Sequence, residues 1–386
     1  MSSVAALAAA PAAAQSRIAL FDLQRQRARL ERDIRRRMDE VLAHGQFILG
    51  PEVDELEKEL ARFTGAAHAI TVSSGRDALA IALMAMKVGP GDAVFVPAFT
   101  FAASAASVVS VGAEPVFVDV DAATFNLDAS DLDRAIGEVQ AAGRLVPRVV
   151  MPVDLYGLPA NYAAINAVVA RHGLKVLADA AQSFGGAVGN TRVGALAPVS
   201  ATSFYPTKPL GCYGDGGAVL AEDADVAEQV RMIRSHGRAG TGDEAVVLGL
   251  TARLDTLQAA VLLAKLAAFD DELDRRAEIA ARYTRALNGA VVTPIIPDGS
   301  RSAFALYTIR VPHRDDVRAK LDAAGIGTGL FYRLALHQHP AFRAYVGRAL
   351  PVSEKLANEV VSLPVHPDLT DAEVDRVIAA ELAALR

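Results

Sequence analysis

The chain has 386 residues, of which 52% are hydrophobic and 22% charged, and its formal net charge is −6. This composition is typical of a globular protein with a large core, and the length predicts roughly two domains. The negative charge leaves no basic surface for nucleic acid or anionic lipid, so neither is expected as a partner. The single cysteine, Cys212, excludes an intramolecular disulfide and a cysteine-based zinc cluster.

The first predicted elements are helical. The alanine-rich residues 1–16 are expected to form a disordered tail; they lack the positive start of a signal peptide, which stays the weaker alternative. Two charged helices at 22–44 and 50–65 each end at a glycine. A strand at 69–75 then leads into an apolar helix at 76–86.

Because no apolar run is long enough to cross a membrane, we predict a cytoplasmic protein.

A strand–helix alternation follows. Nearly continuous apolar, β-branched runs predict strands at 92–99, 113–120, 148–155 and 174–179, and further strands at 199–206 and 217–223. Helical patterns lie between several of them, as at 161–173. Strands of this kind are buried on both faces of a parallel sheet, between layers of helices. We therefore expect an α/β domain that binds its ligand at the carboxyl ends of its strands.

The pattern changes at about residue 253. A long helical run is predicted to bend near Phe269, and a strand at 305–311 and a helix at 315–325 follow. This pattern indicates a smaller α+β unit. We predict a large domain over residues 17–252 and a small C-terminal domain over residues 253–386.

Two strand ends carry candidate binding residues. Ser73, Ser74 and Gly75 join a strand to a helix, where free backbone N–H groups can bind an anion, although a plain helix cap explains Ser74 equally well. Asp179 ends the run LKVLAD. Burying a carboxylate without a partner is costly, so Asp179 is expected to pair with a buried cation or, alternatively, to cap a helix.

The stretch SFYPTKPLGCYGDGGAVL contains Lys208 in a chain whose 39 basic residues include only seven lysines. Lysine differs from arginine in that its neutral amine can form a Schiff base. The alternative is an ordinary surface lysine on a loop. The glycines that follow are expected to let the backbone approach a ligand closely, and Cys212 is expected to be a small apolar filler.

Other sequence patterns are weaker evidence of function. His337 and His339 lack a nearby carboxylate in sequence, so we interpret them as loop histidines and predict no metal site. Asp154 and Tyr156 either face the site or cap a loop. The chain has no Walker motif, GxSxG elbow or GxGxxG fingerprint, which disfavours a nicotinamide-dependent enzyme.

Several ordered motifs together resemble a known family. The motifs VSSGRDAL, PAFTF, ADAAQSFG, FYPTKPLGCYGDGGA and RLDTLQAA are similar to those of nucleotide-sugar aminotransferases, which are fold type I enzymes dependent on pyridoxal phosphate (PLP). The resemblance extends from about Ile18 to the C-terminus. It implies a mostly parallel large domain, a smaller α+β C-terminal domain, and a homodimer whose active site is shared between subunits.

The resemblance also implies roles for individual residues. Lys208 would hold PLP as a Schiff base and move the proton during transfer, with pyridoxamine phosphate (PMP) as the intermediate cofactor form. Asp179 would keep the pyridine nitrogen protonated, Gln182 would bond the ring oxygen and Phe101 would stack on the ring. The phosphate would be bound by Ser74, Gly75, Arg76 and Ser203, and Thr251 falls at the position that commonly reaches the phosphate of the neighbouring subunit. The expected substrates are glutamate and a nucleotide-linked keto-sugar.

KPLGCYGDGGA and ALYTIRV resemble the branch that aminates UDP-3-keto sugars, such as UDP-2-acetamido-2-deoxy-3-oxo-glucuronate. The alternatives are a 4-keto nucleotide-sugar aminotransferase and a non-catalytic, PLP-binding regulatory protein. Related enzymes that remove a sugar hydroxyl carry histidine at the lysine position, so Lys208 argues against that reaction.

The sequence departs from the family pattern at five positions. Arg76 replaces a threonine, Ala178 a glutamate, Thr251 an asparagine, and Phe331 and Arg333 a histidine and a proline. Arg76 would make the phosphate contact ionic. Arg333 would contact a substrate carboxylate or lie on a solvated loop. The cofactor side is therefore expected to follow the family and the substrate side to differ.

Overall fold

The computed structural model describes residues 17–240 and 242–386, so the predicted tail at 1–16 lies outside the described residues. Helices α1 to α12 span Leu23–His44, Pro51–Thr64, Gly75–Ala85, Ala102–Ser110, Ala129–Ala142, Tyr162–His172, Ala224–Arg234, Thr256–Leu266, Phe269–Leu287, Arg314–Ala323, Pro351–Glu359 and Asp371–Ala384. Strands β1 to β12 span His68–Val72, Asp92–Pro97, Glu114–Val118, Val146–Val150, Lys175–Asp179, Ala187–Val188, Thr191–Arg192, Val199–Ser203, Gly217–Ala221, Ser300–Arg301, Tyr307–Arg310 and Val360–Leu363.

The first two helices begin and end at the predicted signals. The Asp22 carboxylate accepts hydrogen bonds from the backbone N–H groups of Gln24 and Arg25, which have no partner inside α1. Gly45 and Gly65 end α1 and α2 with φ of 72° and 80°, a left-handed conformation that glycine adopts without strain. The predicted helices are confirmed to within one residue at each end.

The main sheet has seven strands in the order β1-β9-β8-β5-β4-β2-β3. Only β9 runs antiparallel to its neighbours β1 and β8; the other pairs in this sheet are parallel. One face packs on α3 and α7, with Leu79 and Val230 in the core, and the other on α5 and α6, with Ile136 and Ile165. The predicted α/β class with a mostly parallel sheet is confirmed.

The reversed strand determines where Lys208 lies. Strands β8 and β9 are antiparallel neighbours, so residues 204–216, here called the lysine loop, close a hairpin at the carboxyl end of β8. The carboxyl ends of β2 and β5 lie at the same edge of the sheet. Ligands of open α/β sheets bind at this edge.

The C-terminal part has its own core. Strands β11 and β12 pair antiparallel, and their apolar side chains pack with α9, α10 and α12 and with Ile18 from the start of the chain. The predicted bend near Phe269 is a break between α8 and α9. Helix α8 packs against α1 and α2. The three-stranded sheet of β10, β6 and β7 was not predicted, and the division at 252/253 stays a prediction.

Candidate active site

A cavity of about 350 Å³ opens at the carboxyl edge of the main sheet. Its lining includes every predicted site residue except Thr251, namely Ser74, Gly75, Arg76, Phe101, Asp179, Gln182, Ser203 and Lys208. These residues lie up to 134 positions apart in the chain. The fold therefore collects in one cleft the residues that the motifs selected separately.

Asp179 lies at the end of β5 and is 5% exposed. Ser104 Oγ donates to its Oδ2 at 2.7 Å, and the backbone N–H of Ala181 donates to Oδ1 at 3.2 Å. Burial raises the pKa of this carboxyl group, while the two hydrogen bonds and the amine of Lys208 oppose the rise. A fixed carboxyl group of this kind suits the N–H⁺ of a heteroaromatic ring.

Lys208 lies on the lysine loop and faces the same cavity. Its backbone N–H donates to the Tyr205 carbonyl at 2.8 Å. Burial lowers the pKa of the amine, and the negative charge of Asp179 partly offsets this effect. A lowered pKa increases the neutral fraction of the amine, which is the form that attacks a carbonyl carbon.

The start of α3 also lines the cavity. Ser74 Oγ caps the N–H of Asp77 at 3.1 Å. Within the described ranges, the N–H groups of Gly75 and Arg76 have no acceptor. A Cβ on Gly75 would lie 2.5 Å from Ser203 Cβ, so the glycine lets this serine reach the helix start. Free N–H groups beside a hydroxyl fit a phosphate group.

Gln182 is held on both sides of its amide. Its Oε1 accepts from the Tyr156 N–H at 2.7 Å, and its Nε2 donates to the Tyr332 hydroxyl at 3.0 Å. Phe101 is 57% exposed, and its ring lies 6.0 Å from that of Tyr332. An exposed aromatic face on a cavity wall is suited to stacking on a planar ligand.

These contacts include two residues that sequence reasoning missed. Ser104 orients Asp179, and Tyr332 contacts Gln182 and lines the cavity. Ser104 is one of many small residues in α4 and carries no motif. Tyr332 lies in GLFYRLALH, a segment in which only Phe331 and Arg333 were considered.

The departures from the family pattern fall in different places. Phe331 lines the cavity, whereas Arg333 is exposed and does not belong to the lining. Thr251 is exposed, and its Oγ1 lies 3.4 Å from both ring nitrogens of His236. Ala178 is 1% exposed and packs on the α5 and α6 face of the sheet, away from the cavity.

Two other candidates have structural contacts. Asp154 caps a loop, since it accepts from the Ala160 N–H, the Tyr162 hydroxyl and the Ser183 hydroxyl, each at 2.8 Å; burial raises its pKa to about 6. Burial likewise raises the pKa of Cys212 to about 11. A thiol with so high a pKa is a poor nucleophile, as expected of a filler residue.

The interpretation of His337 needs a correction. His337 is buried and its Nε2 lies 2.9 Å from Glu354 Oε1, so a carboxylate is present that sequence spacing did not indicate. The pair lies 17 positions apart and meets only in the folded chain. Across residues 17–240 and 242–386, no group of three or more potential metal ligands occurs.

The expectation for the glycines that follow Lys208 is wrong for three of them. A Cβ on Gly211 would lie 2.5 Å from the Pro206 carbonyl oxygen, and one on Gly216 would lie 2.9 Å from Leu254 Cδ1. A Cβ on Gly214 would lie 3.1 Å from the side chain of Gln258. These glycines let the loop pack on the protein itself, not on a ligand.

In the part of the chain that the structure describes, no helix combines the length and the apolar character needed to cross a membrane.

Comparison with known proteins places the chain in a family. Residues 28–381 match the model of the DegT/DnrJ/EryC1/StrS aminotransferase family. The chain is 44% identical to the UDP-2-acetamido-2-deoxy-3-oxo-D-glucuronate aminotransferase of Pseudomonas aeruginosa, over 94% of this chain and 99% of that protein. It is 42% identical to a pleiotropic regulatory protein of Geobacillus stearothermophilus, over 94% and 96% of the two chains.

Solved structures agree. A DegT DnrJ EryC1 StrS aminotransferase from Brucella abortus superposes with a TM-score of 0.93 and 47% identity, covering 95% of this chain and 99% of that one. NtdA of Bacillus subtilis, solved with bound cofactor PMP, superposes with a TM-score of 0.88 and 28% identity, covering 96% and 85%. The Asp179 carboxyl group, the Lys208 amine and the donors at the start of α3 fit this cofactor. The chain belongs to the DegT/DnrJ/EryC1/StrS aminotransferase family and is a PLP-dependent sugar aminotransferase.

Proposed function

We propose that this enzyme transfers an amino group from glutamate to the C3 keto group of a UDP-linked sugar, such as UDP-2-acetamido-2-deoxy-3-oxo-glucuronate. The product would be a precursor for a surface polysaccharide. The observation that carries the chemistry is that Lys208 and Asp179 share one cavity. The choice of sugar is supported by the 44% identity to the Pseudomonas aeruginosa enzyme and by the loop sequence KPLGCYGDGGA.

The bound cofactor supplies an aldehyde that receives the amino group and a ring that withdraws electrons. Lys208 would bind that aldehyde through its amine and, when released, would move a proton between the substrate carbon and the carbon of the former aldehyde. Burial favours this role because it lowers the pKa of the amine. Asp179, oriented by Ser104 and the Ala181 N–H, would hold the proton on the ring nitrogen.

The remaining cavity residues would bind and orient. The N–H groups of Gly75 and Arg76, the Ser203 hydroxyl and the Arg76 guanidinium would hold the cofactor phosphate. Gln182 would bond the ring oxygen, and Phe101 would cover one ring face and exclude water from it.

A homodimer is part of the proposal. Thr251 lies outside the cavity of its own chain, as expected of a residue that acts in a neighbouring subunit's site. Phe47, Ile48 and Leu49 are 46%, 47% and 41% exposed and form an apolar surface segment suited to a subunit contact.

The test is product analysis with purified enzyme, glutamate and a panel of 3-keto and 4-keto nucleotide sugars. We expect amination of the UDP-3-keto substrate. Amination of 4-keto sugars alone would overturn the choice of carbon. If glutamate fails to convert the visible band of the bound cofactor, the regulatory alternative gains support. The similarity to the pleiotropic regulatory protein of Geobacillus stearothermophilus is a second argument for that alternative.

A further inference from the structure

The lysine loop rests on two polar side chains of α8. The Tyr213 N–H donates to Gln258 Oε1 at 2.8 Å, and Gln258 Nε2 donates to the Tyr213 carbonyl at 3.5 Å. Lys265 Nζ donates to the Gly211 carbonyl at 2.6 Å. Gln258 and Lys265 are seven residues apart and therefore lie on the same face of the helix. One helix face thus holds two points of the loop, three and five residues beyond Lys208.

Lys265 is an unusual residue to find in this place. It is 1% exposed, and among the described residues no carboxylate lies within ion-pair distance of its amine, although the charge of Glu272 partly offsets the effect of burial on that amine's pKa. Its Nζ lies 4.5 Å from the centre of the Tyr213 ring, so an aromatic face provides part of its environment. Burial lowers the pKa of its amine to about 8. Keeping an amine here has a free-energy cost, which a simple packing role would not explain because methionine would fill the same space.

The loop closes tightly above this helix. The Cys212 N–H donates to the Phe204 carbonyl at 2.8 Å, and the Phe204 N–H donates to the Gly216 carbonyl at 2.8 Å. A Cβ on Gly214 would lie 3.1 Å from Gln258 Nε2, so a side chain there would press on the amide that holds Tyr213. The segment from Gly211 to Gly214 therefore packs on α8, while Lys208 lines the cavity.

We propose that Lys265 and Gln258 are positioning residues for Lys208. By fixing the carbonyl of Gly211 and both backbone groups of Tyr213, they set the height of the lysine loop above the sheet edge and thereby aim the Lys208 amine at the reacting carbon. The inference rests on the proposed role of Lys208. Neither side chain lines the cavity, so they act through the loop and not on the substrate.

The test uses the holoenzyme and two variants that keep side-chain volume, Lys265→Met and Gln258→Leu. Lys320→Met is the matched control, because Lys320 Nζ also donates to a backbone carbonyl, that of Ala384 at 2.9 Å, but lies in the C-terminal part. The readouts are the pH midpoint of the visible cofactor band, the fraction of cofactor fixed to Lys208 by borohydride, and kcat and KM. Circular dichroism and thermal unfolding verify folding.

We expect each α8 variant to shift the band midpoint by about half a pH unit or more and to lower kcat roughly tenfold, with KM for the sugar nearly unchanged. The double variant should lose less than the product of the two single effects, since both groups hold one loop. Lys320→Met should behave as wild type. Folded variants with wild-type midpoint, fixation and kcat would overturn the proposal.

Two design points keep the test decisive. If Lys265→Met fails to fold, Gln258→Leu alone decides, because Gln258 is only half-buried and its loss leaves no buried charge. The band and the borohydride reaction need no sugar, so an error in the assigned sugar does not affect them. A wild-type protein that never links the cofactor to Lys208 would overturn the proposed function together with this inference.

Discussion

The two walls of the cavity are built in different ways. The sheet wall, formed by Asp179, Gln182, Ser203 and Lys208, follows the ends of neighbouring strands in the main sheet. The C-terminal wall, formed by Ala305, Leu306, Phe331 and Tyr332, comes from the start of β11 and an irregular segment. The residues of the sheet wall lie in or beside the motifs that resemble the family, whereas the C-terminal wall includes Phe331, one of the expected departures. We expect cofactor chemistry to constrain the first wall and the second to vary with the sugar.

The largest expected effect on turnover comes from a change in the sheet wall, at Lys208. We expect Lys208→Ala to lower turnover roughly 10⁴-fold, because both the covalent attachment and the proton transfer are lost. Borohydride should then fix no cofactor to the protein, which mass spectrometry of the digested chain can check. Normal transamination by this variant would refute the assigned role.

Asp179→Asn should have the next largest effect. The amide is similar in shape but cannot stabilise a positive ring nitrogen, so we expect a roughly 10²- to 10³-fold lower kcat with the cofactor still bound. Stopped-flow absorbance with glutamate alone would measure the affected half-reaction. Near-normal rates would contradict the role of this carboxylate. A KM that rises by the same factor as kcat falls would indicate that the C-terminal wall is damaged as well.

Arg76→Thr tests a departure within the phosphate end of the cavity. The exposed guanidinium at the start of α3 adds an ionic contact, so we expect PLP to bind up to about tenfold more weakly in the variant. The weakening should shrink at high salt, where the charge is screened. Equilibrium dialysis at two salt concentrations measures the PLP affinity of both proteins. If variant and wild type bind PLP equally well at both concentrations, Arg76 serves another ligand.

Tyr332→Phe should have the smallest effect, because it removes one hydrogen bond that joins the two walls, from Gln182 Nε2. Losing such a bond is worth about 1 kcal/mol, or roughly fivefold. We expect the loss to appear in KM for the keto-sugar and not in the glutamate half-reaction. Steady-state kinetics with each substrate varied in turn separates the two, and a slower glutamate half-reaction would assign Tyr332 to the cofactor instead.

Sequence reasoning predicted the sheet wall well, because its residues follow strongly patterned strands and recognisable motifs. It missed Ser104, whose partner Asp179 is 75 positions away, and Tyr332, 150 positions from Gln182. Such contacts depend on the folded topology and leave no local periodicity. Strands β6, β7 and β10 have two residues each, too few to show an alternating pattern. Three glycines of the lysine loop were expected to lie against a ligand but lie against other protein atoms. A glycine in a sequence indicates that something approaches the backbone closely, but it does not indicate which group.

The hairpin that carries Lys208 has a consequence for engineering. A loop between adjacent antiparallel strands can change length or sequence without moving a crossover helix, so residues 204–216 form a unit that could be exchanged between related enzymes. The exchange would succeed only if the supporting positions travel with it. A grafted loop should therefore be accompanied by the residues at 258 and 265 of its donor, although these lie more than 40 positions further along the chain.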